Sequence, residues 1–99
     1  MMTIVTRVTL ETGQEPGWDA AFRERAVAAS QQPGWVGLQL CIPTDALNQR
    51  VIIGTWETRA DWEAWHSTPA FQKTRAQMEP AESGPRVEEW HEVILAEHR

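Results

Sequence analysis

The chain has 99 residues, enough for one domain near the lower end of what buries a useful core alone. Fourteen acidic side chains against nine lysines and arginines, with no basic cluster, argue against nucleic acid or an anionic membrane surface as the main partner. No window approaches the roughly 20 apolar residues of a membrane span, and no charged segment followed by an apolar signal core is present, so a soluble, cytoplasmic protein is expected.

The opening run Thr3 to Glu11 alternates as a strand, with Ile4, Thr6, Val8 and Leu10 on one face and Val5, Arg7 and Thr9 on the other. Gly13 to Gly17 punctuates, and a helical pattern runs from Trp18 to about Gln31, where Trp18, Ala21, Phe22, Arg25 and Ala29 form one stripe. Pro33 and Gly34 stop it. Trp35 to Ile42 reads as a second strand with Val36, Leu38, Leu40 and Ile42 on one face and Trp35 and Cys41 on the other. Thr44 to Gln49 is polar loop. Val51 to Trp56 is β-branched or aromatic at almost every position, as in a strand buried on both faces.

Thr58 suits an N-cap, with Asp61 at the third helical position of the segment that follows. Trp62, Trp65 and His66 then fall at i, i+3 and i+4, on one face. Ser67, Thr68 and Pro69 interrupt the helix, because proline lacks a donor and suits a first turn, and a new helix runs from Pro69 to about Glu79. Arg75 falls with Phe71, Thr74 and Met78 on what reads as an inward stripe. Pro80 to Pro85 is loop, and Val87 to Ala96 reads as the last strand.

The order β-α-β-β-α-β is the split βαβ, ferredoxin-like α+β arrangement, a four-stranded antiparallel sheet with its helices on one face. The other face, carrying apolar side chains of several strands, is too large to leave in water, and a homodimer is therefore expected.

Chemistry-bearing residues are few. Cys41 is the single cysteine and cannot form an internal disulfide; a buried inert thiol is the simpler reading. Six tryptophans and no tyrosine mean that no phenol side chain can act as acid, base or relay. His91 and His98 read as structural or solvent-facing, and Glu88, Glu89 and Glu92 define no dyad. No phosphate loop, nucleotide fingerprint, His-Glu metal spacing or nucleophile elbow occurs.

Over nearly its whole length the chain resembles the antibiotic biosynthesis monooxygenase domain of the dimeric α+β barrel superfamily. The resemblance is carried by the opening strand with its polar Thr6, by QQPGWVGLQL after the first helix, and by VIIGTWETRADWEAWHSTPAF, with its strand-ending Trp, helical Trp and Ser-x-x-x-Phe. It implies a dimeric barrel, and the superfamily holds cofactor-free oxygenases of anthrones and quinols, haem-degrading oxygenases and domains without established activity. For haem degradation the resemblance implies an Asn in the first strand, a Trp in the second helix and an axial His ten residues on. Trp65 matches, but Thr6 and Arg75 stand in the other two places, and an arginine has no free lone pair for iron. Haem is therefore disfavoured, and no cofactor is expected.

A cofactor-free oxygenase needs a dry aromatic slot, a base and a group that stabilises an enolate or phenolate. Trp62, Trp65, Phe22 and Phe71 are the candidates for the slot, with Thr6 beside them, His66 for the base, and Arg25 and Arg75 for the anionic oxygen. The expected partner is a planar, electron-rich small aromatic: a quinol, anthrone or polyphenol. Two other readings stand beside this one: a noncatalytic small-hydrophobic-ligand-binding or stress-associated domain, and a dimerisation module whose slot is filled by Trp62 and Trp65 themselves.

Overall fold

A computed structural model describes residues 1–99. The elements follow the expected order: β1 (Met2–Thr9), α1 (Glu15–Ala29), β2 (Trp35–Cys41), β3 (Gln49–Trp56), α2 (Arg59–His66), α3 (Pro69–Met78), a 3-10 turn (Glu79–Ala81) and β4 (Val87–Glu92). The sheet is antiparallel, in the order β2-β3-β1-β4. Its two central strands are β1 and β3, and these two also bring Thr6 opposite Ile52.

Several boundaries differ from the sequence reading, among them β1, which runs Met2–Thr9 rather than Thr3 to Glu11. Helix α1 starts at Glu15 rather than Trp18, because Pro16 and Gly17 sit in its first turn, where a missing donor costs nothing. Strand β3 begins two residues early, at Gln49. Strand β4 stops at Glu92 rather than Ala96, since β1, its pairing partner, ends at Met2 opposite Glu92. Beyond it, Ile94 and Leu95 are exposed.

A further correction concerns Trp35. A register shift between Trp35 and Gly37 in the β2–β3 ladder breaks the alternation, so that Trp35 joins the helix-side core while Val36 lies on the open face. An unbroken strand pattern put them the other way round.

Between sheet and helices lie two apolar clusters. Val8, Leu10, Trp18, Phe22 and Met78 anchor one, near the end of β1; Ile4, Ala29, Trp56, Trp65 and Phe71 anchor the other. Burying one such large side chain contributes roughly 1.5–3 kcal/mol, which is why the stripe of α1 faces inward as its spacing requires. The helix break is real: Thr68 caps α3, its hydroxyl accepting from Phe71 N at 3.2 Å, and Thr58 caps α2 by accepting from Asp61 N at 3.1 Å. Gly34 holds φ at +82°, and a Cβ there would run into the Asp61 carboxylate, so the turn before β2 and the start of α2 can approach only through glycine.

Arg50 of β3 is buried on the helix side and forms a two-pronged pair with Asp19 of α1, at 2.9 and 3.0 Å. The opposite face of the sheet has no covering layer. Val36, Ile53 and Thr55 border a groove of about 680 Å³ there, closed along one side by the segment from Glu92 to His98.

Candidate functional site

A cavity of about 80 Å³ opens between the sheet and the helices, in the second apolar cluster. Alternation along β1 and β3 sends Ile4, Thr6, Ile52, Gly54 and Trp56 to its floor, and the α1 stripe brings Phe22, Arg25 and Ala29 to its wall. Helix α2 contributes Trp62, Trp65 and His66; α3 contributes Phe71. Trp62, His66, Phe71, Arg86 and Glu88 also border an outer vestibule of about 180 Å³, which therefore adjoins the cavity.

Seven of the eight residues expected at a site converge on this cavity: Thr6, Phe22, Arg25, Trp62, Trp65, His66 and Phe71. Arg75 does not. It projects from the outer side of α3, with more than half of its side chain exposed, and its Nε donates to Glu79 Oε1 at 2.6 Å. One helical position decides this: the turn that buries Phe71 and Met78 buries Thr74, leaving Arg75 at the rim of the vestibule. The two α2 tryptophans divide the work. Trp65 is buried against Trp56 and Phe71, whereas Trp62 lines the entrance, edge-on to Trp90 at 4.5 Å. These indoles leave a void of about 80 Å³ beside them.

Arg25 is buried, with 6% of its surface exposed. Its Nε donates to Thr74 Oγ1 at 3.0 Å, and its Cζ sits 4.4 Å from the centre of the Phe71 ring, a cation–π contact. Its Nη2 is buried without any partner. Burial, reinforced by the positive charge of Arg86, lowers the guanidinium to about 10, so it remains a cation at neutral pH.

His66 rests on two rings, 3.6 Å from Trp62 and 4.1 Å from Phe71 between centroids. Its Nδ1 lies 2.8 Å from the Trp62 carbonyl oxygen. That oxygen can only accept, so Nδ1 carries the proton and Nε2 keeps its lone pair. Burial lowers the imidazolium below its ordinary value; the Trp62 carbonyl opposes this and Arg25 adds to it. At neutral pH the ring is a neutral base.

Arg86 and Glu88 are cavity residues that the sequence reading missed. Arg86 donates through Nε and Nη2 to both Glu82 oxygens, at 2.8 and 2.7 Å. Glu82 also accepts from Trp18 Nε1 at 3.0 Å. Burial alone would raise the Glu82 carboxyl, but these hydrogen bonds outweigh it and hold it below its ordinary value. Glu88 is exposed at the rim and accepts from Trp90 Nε1 at 2.9 Å. Arg86 precedes β4 and belongs to no periodic pattern, whereas Glu88 stands in β4 opposite Thr6. Glu82 is set by the chain crossing beside β1, where Ser83 N donates to Thr9 O at 2.7 Å and Leu10 bridges to Glu82.

No histidine stands on α3, where the haem-degrading pattern calls for an axial ligand. The inward position of α3 is Thr74, whose hydroxyl is engaged by Arg25 and by the Phe71 carbonyl. His66 alone offers a nitrogen lone pair there.

Known proteins of the same shape bear on these residues. The chain is 26% identical over 92 residues to a haem oxygenase (mycobilin-producing) of Mycobacterium tuberculosis, an overlap of 92% of this chain and 87% of the relative. The structure superposes with a TM-score of 0.85 on SnoaB, a cofactor-independent oxygenase from Streptomyces nogalater, at 20% identity and covering 96% of this chain and 94% of SnoaB. A Nitrosomonas europaea protein designated an antibiotic biosynthesis monooxygenase superposes with a TM-score of 0.90 at 17% identity, over 96% of this chain and all of that one. At such identities the superpositions establish the fold alone. The sequence profile described as antibiotic biosynthesis monooxygenase matches residues 1–77, more than three quarters of the chain. The chain belongs to the antibiotic biosynthesis monooxygenase family.

Proposed function

We propose that the protein is a cofactor-independent monooxygenase that oxidises a planar, electron-rich aromatic with O2. The observation that carries this reading is the meeting, on the one Phe71 ring, of a neutral imidazole and a buried guanidinium with an unused donor. One accepts a proton and the other stabilises the negative charge that its removal creates.

In this reading His66 Nε2 removes the proton of a substrate phenol. The phenolate, held in the field of Arg25 and Arg86, passes one electron to O2, and the resulting pair of radicals combines to a ring-carbon peroxide. The His66 imidazolium returns its proton to that peroxide. Loss of the proton on the same ring carbon then breaks the O–O bond, leaving a quinone and water. One oxygen atom enters the ring and the other leaves as water, so the substrate supplies all the electrons.

Size favours quinols and small polyphenols over three-ring anthrones. A cavity of about 150 Å³ holds one benzene ring, so the 180 Å³ vestibule suits a single ring with one polar substituent directed into the inner cavity. An anthrone would require Trp62 to swing aside. Arg75, at the rim, is placed to meet ligands on entry rather than to touch the reacting atoms. The uncovered face of the sheet supports a homodimer as the working form.

Oxygen uptake by chelator-treated protein over a panel of quinols and polyphenols, corrected for autoxidation, tests the reading. Saturable uptake proportional to protein is expected. Uptake at the uncatalysed rate throughout, with saturable quenching of tryptophan fluorescence, would replace it with the noncatalytic ligand-binding domain.

A further inference from the structure

We infer that the ligand of this cavity is an anion before any chemistry begins: an aromatic acid whose carboxylate binds Arg25 Nη2. The inference rests on reading the cavity as the substrate site, and it adds a substituent that the oxidation itself does not need.

Arg25 is more than nine-tenths buried and lines the cavity, yet one of its terminal nitrogens has no hydrogen-bond acceptor. A buried guanidinium donor left unsatisfied costs on the order of 1–3 kcal/mol or more, a penalty that native structures rarely carry without a reason. The nearby carboxylates do not supply the missing acceptor. Glu82 spends both oxygens on Arg86 and Trp18, and Glu88 is bound to Trp90 at the exposed rim. Glu79 is held by Arg75 on the outer face of the helices. Arg50, the other buried arginine, shows the contrast: Asp19 and two backbone carbonyls satisfy it completely enough to be structural.

Arg25 therefore has no counter-ion within the chain, while Thr74 fixes its Nε and Phe71 fixes the plane of its fork. A pre-oriented fork in an apolar setting recognises a planar carboxylate better than a neutral oxygen. A ring seated between Trp62, His66 and Phe71 in the vestibule would present such a group inward to Arg25, and the cavity beyond has the volume for a carboxylate rather than for a second ring. Arg86, which lines both spaces, adds positive charge on the same path.

The test is calorimetric titration under anaerobic conditions, using 3,4-dihydroxybenzoate and its methyl ester, which share the ring and hydroxyls and differ in charge. The acid is expected to bind at least tenfold tighter than the ester, and Arg25→Gln to abolish that preference. Equal affinities for acid and ester, or no binding by either, would overturn the inference. So would a preference that survives Arg25→Gln and disappears in Arg86→Gln. Should Arg25→Gln fail to fold, acid and ester are compared on the unaltered protein and on Arg86→Gln, in which the preference is expected to persist. Because the titration consumes no oxygen, selective binding of the acid without oxygen uptake would sink the oxygenase reading and leave this one standing.

Discussion

Arg25 of α1 and Thr74 of α3 are joined by a 3.0 Å hydrogen bond that ties the two longest helices together directly over the cavity. The Thr74 hydroxyl accepts from the guanidinium and donates to the Phe71 carbonyl at 3.0 Å, so one side chain fixes the arginine and the helix that carries its stacking partner. The residue that sets the charge of the cavity is thus held by a threonine with no charge of its own.

Thr74→Val keeps the shape and removes the acceptor. Arg25 Nε then joins Nη2 as an unsatisfied buried donor, and stability is expected to fall by about 1–3 kcal/mol. Urea unfolding measures it. An unchanged midpoint would mean that Arg25 swings to solvent when released.

His66→Gln is expected to lower the turnover of a quinol substrate by about 10²-fold or more, the usual range for loss of a general base. The tautomer and the burial of the ring add a pH signature. The imidazolium is held below its ordinary value, so the neutral ring persists to lower pH than a free imidazole, and the acid limb of kcat/KM should lie below about 6.5. A limb well above 7 would assign the base to another group.

The same shift affects folding. Below about pH 6.5 the unfolded chain takes up a proton on this histidine that the folded protein resists, so stability declines as pH falls from there to the depressed folded value. The decline should be smaller in His66→Gln than in the unaltered protein, read from thermal midpoints between about pH 7.5 and about pH 5.

Glu82 contributes in the lower range. Its folded value lies below that of the unfolded chain, so its stabilisation is present above about 4.3 and is lost as pH falls through the folded value. Glu82→Gln should remove that part of the acid sensitivity and release Arg86 from its two-pronged hold. Urea midpoints at about pH 6 and about pH 3 provide the comparison. Identical acid sensitivity in variant and parent would show that the pair contributes nothing.

Ile53 lies at the centre of the uncovered face, next to β1 Val5. If two copies pack there, Ile53→Glu places a carboxylate in an apolar interface and yields a folded monomer. Sedimentation should show twice the chain mass for the parent and the single mass for the variant. A parent that sediments as a monomer at micromolar concentration would set the homodimer aside.

Much of this architecture was legible from local pattern. The two-residue alternation of Ile4, Thr6 and Val8 and the stripe of Trp18, Phe22, Arg25 and Ala29 reappear as buried faces, because side-chain direction in a strand or helix follows from spacing alone. The cap at Thr58 was equally local, since its hydroxyl bonds three residues ahead. Aromatic residues clustered on α2 marked where the cavity lies for the same reason.

What spacing alone could not decide was anything that depends on a second segment. A bulge reversed Trp35 and Val36, because register belongs to the pair β2–β3 and not to either strand. Helix α3 turned Thr74 inward and Arg75 out, a choice between adjacent positions made by packing on α1. The roles of Arg86 and Glu82 came from a non-periodic segment laid along the end of β1. Charge pairing was the last of these. Arg25 and Arg50 are both arginines in patterned elements, and only the tertiary structure gave Arg50 a carboxylate and left Arg25 without one, since an ion pair is set by distance in space and the sequence records only order along the chain.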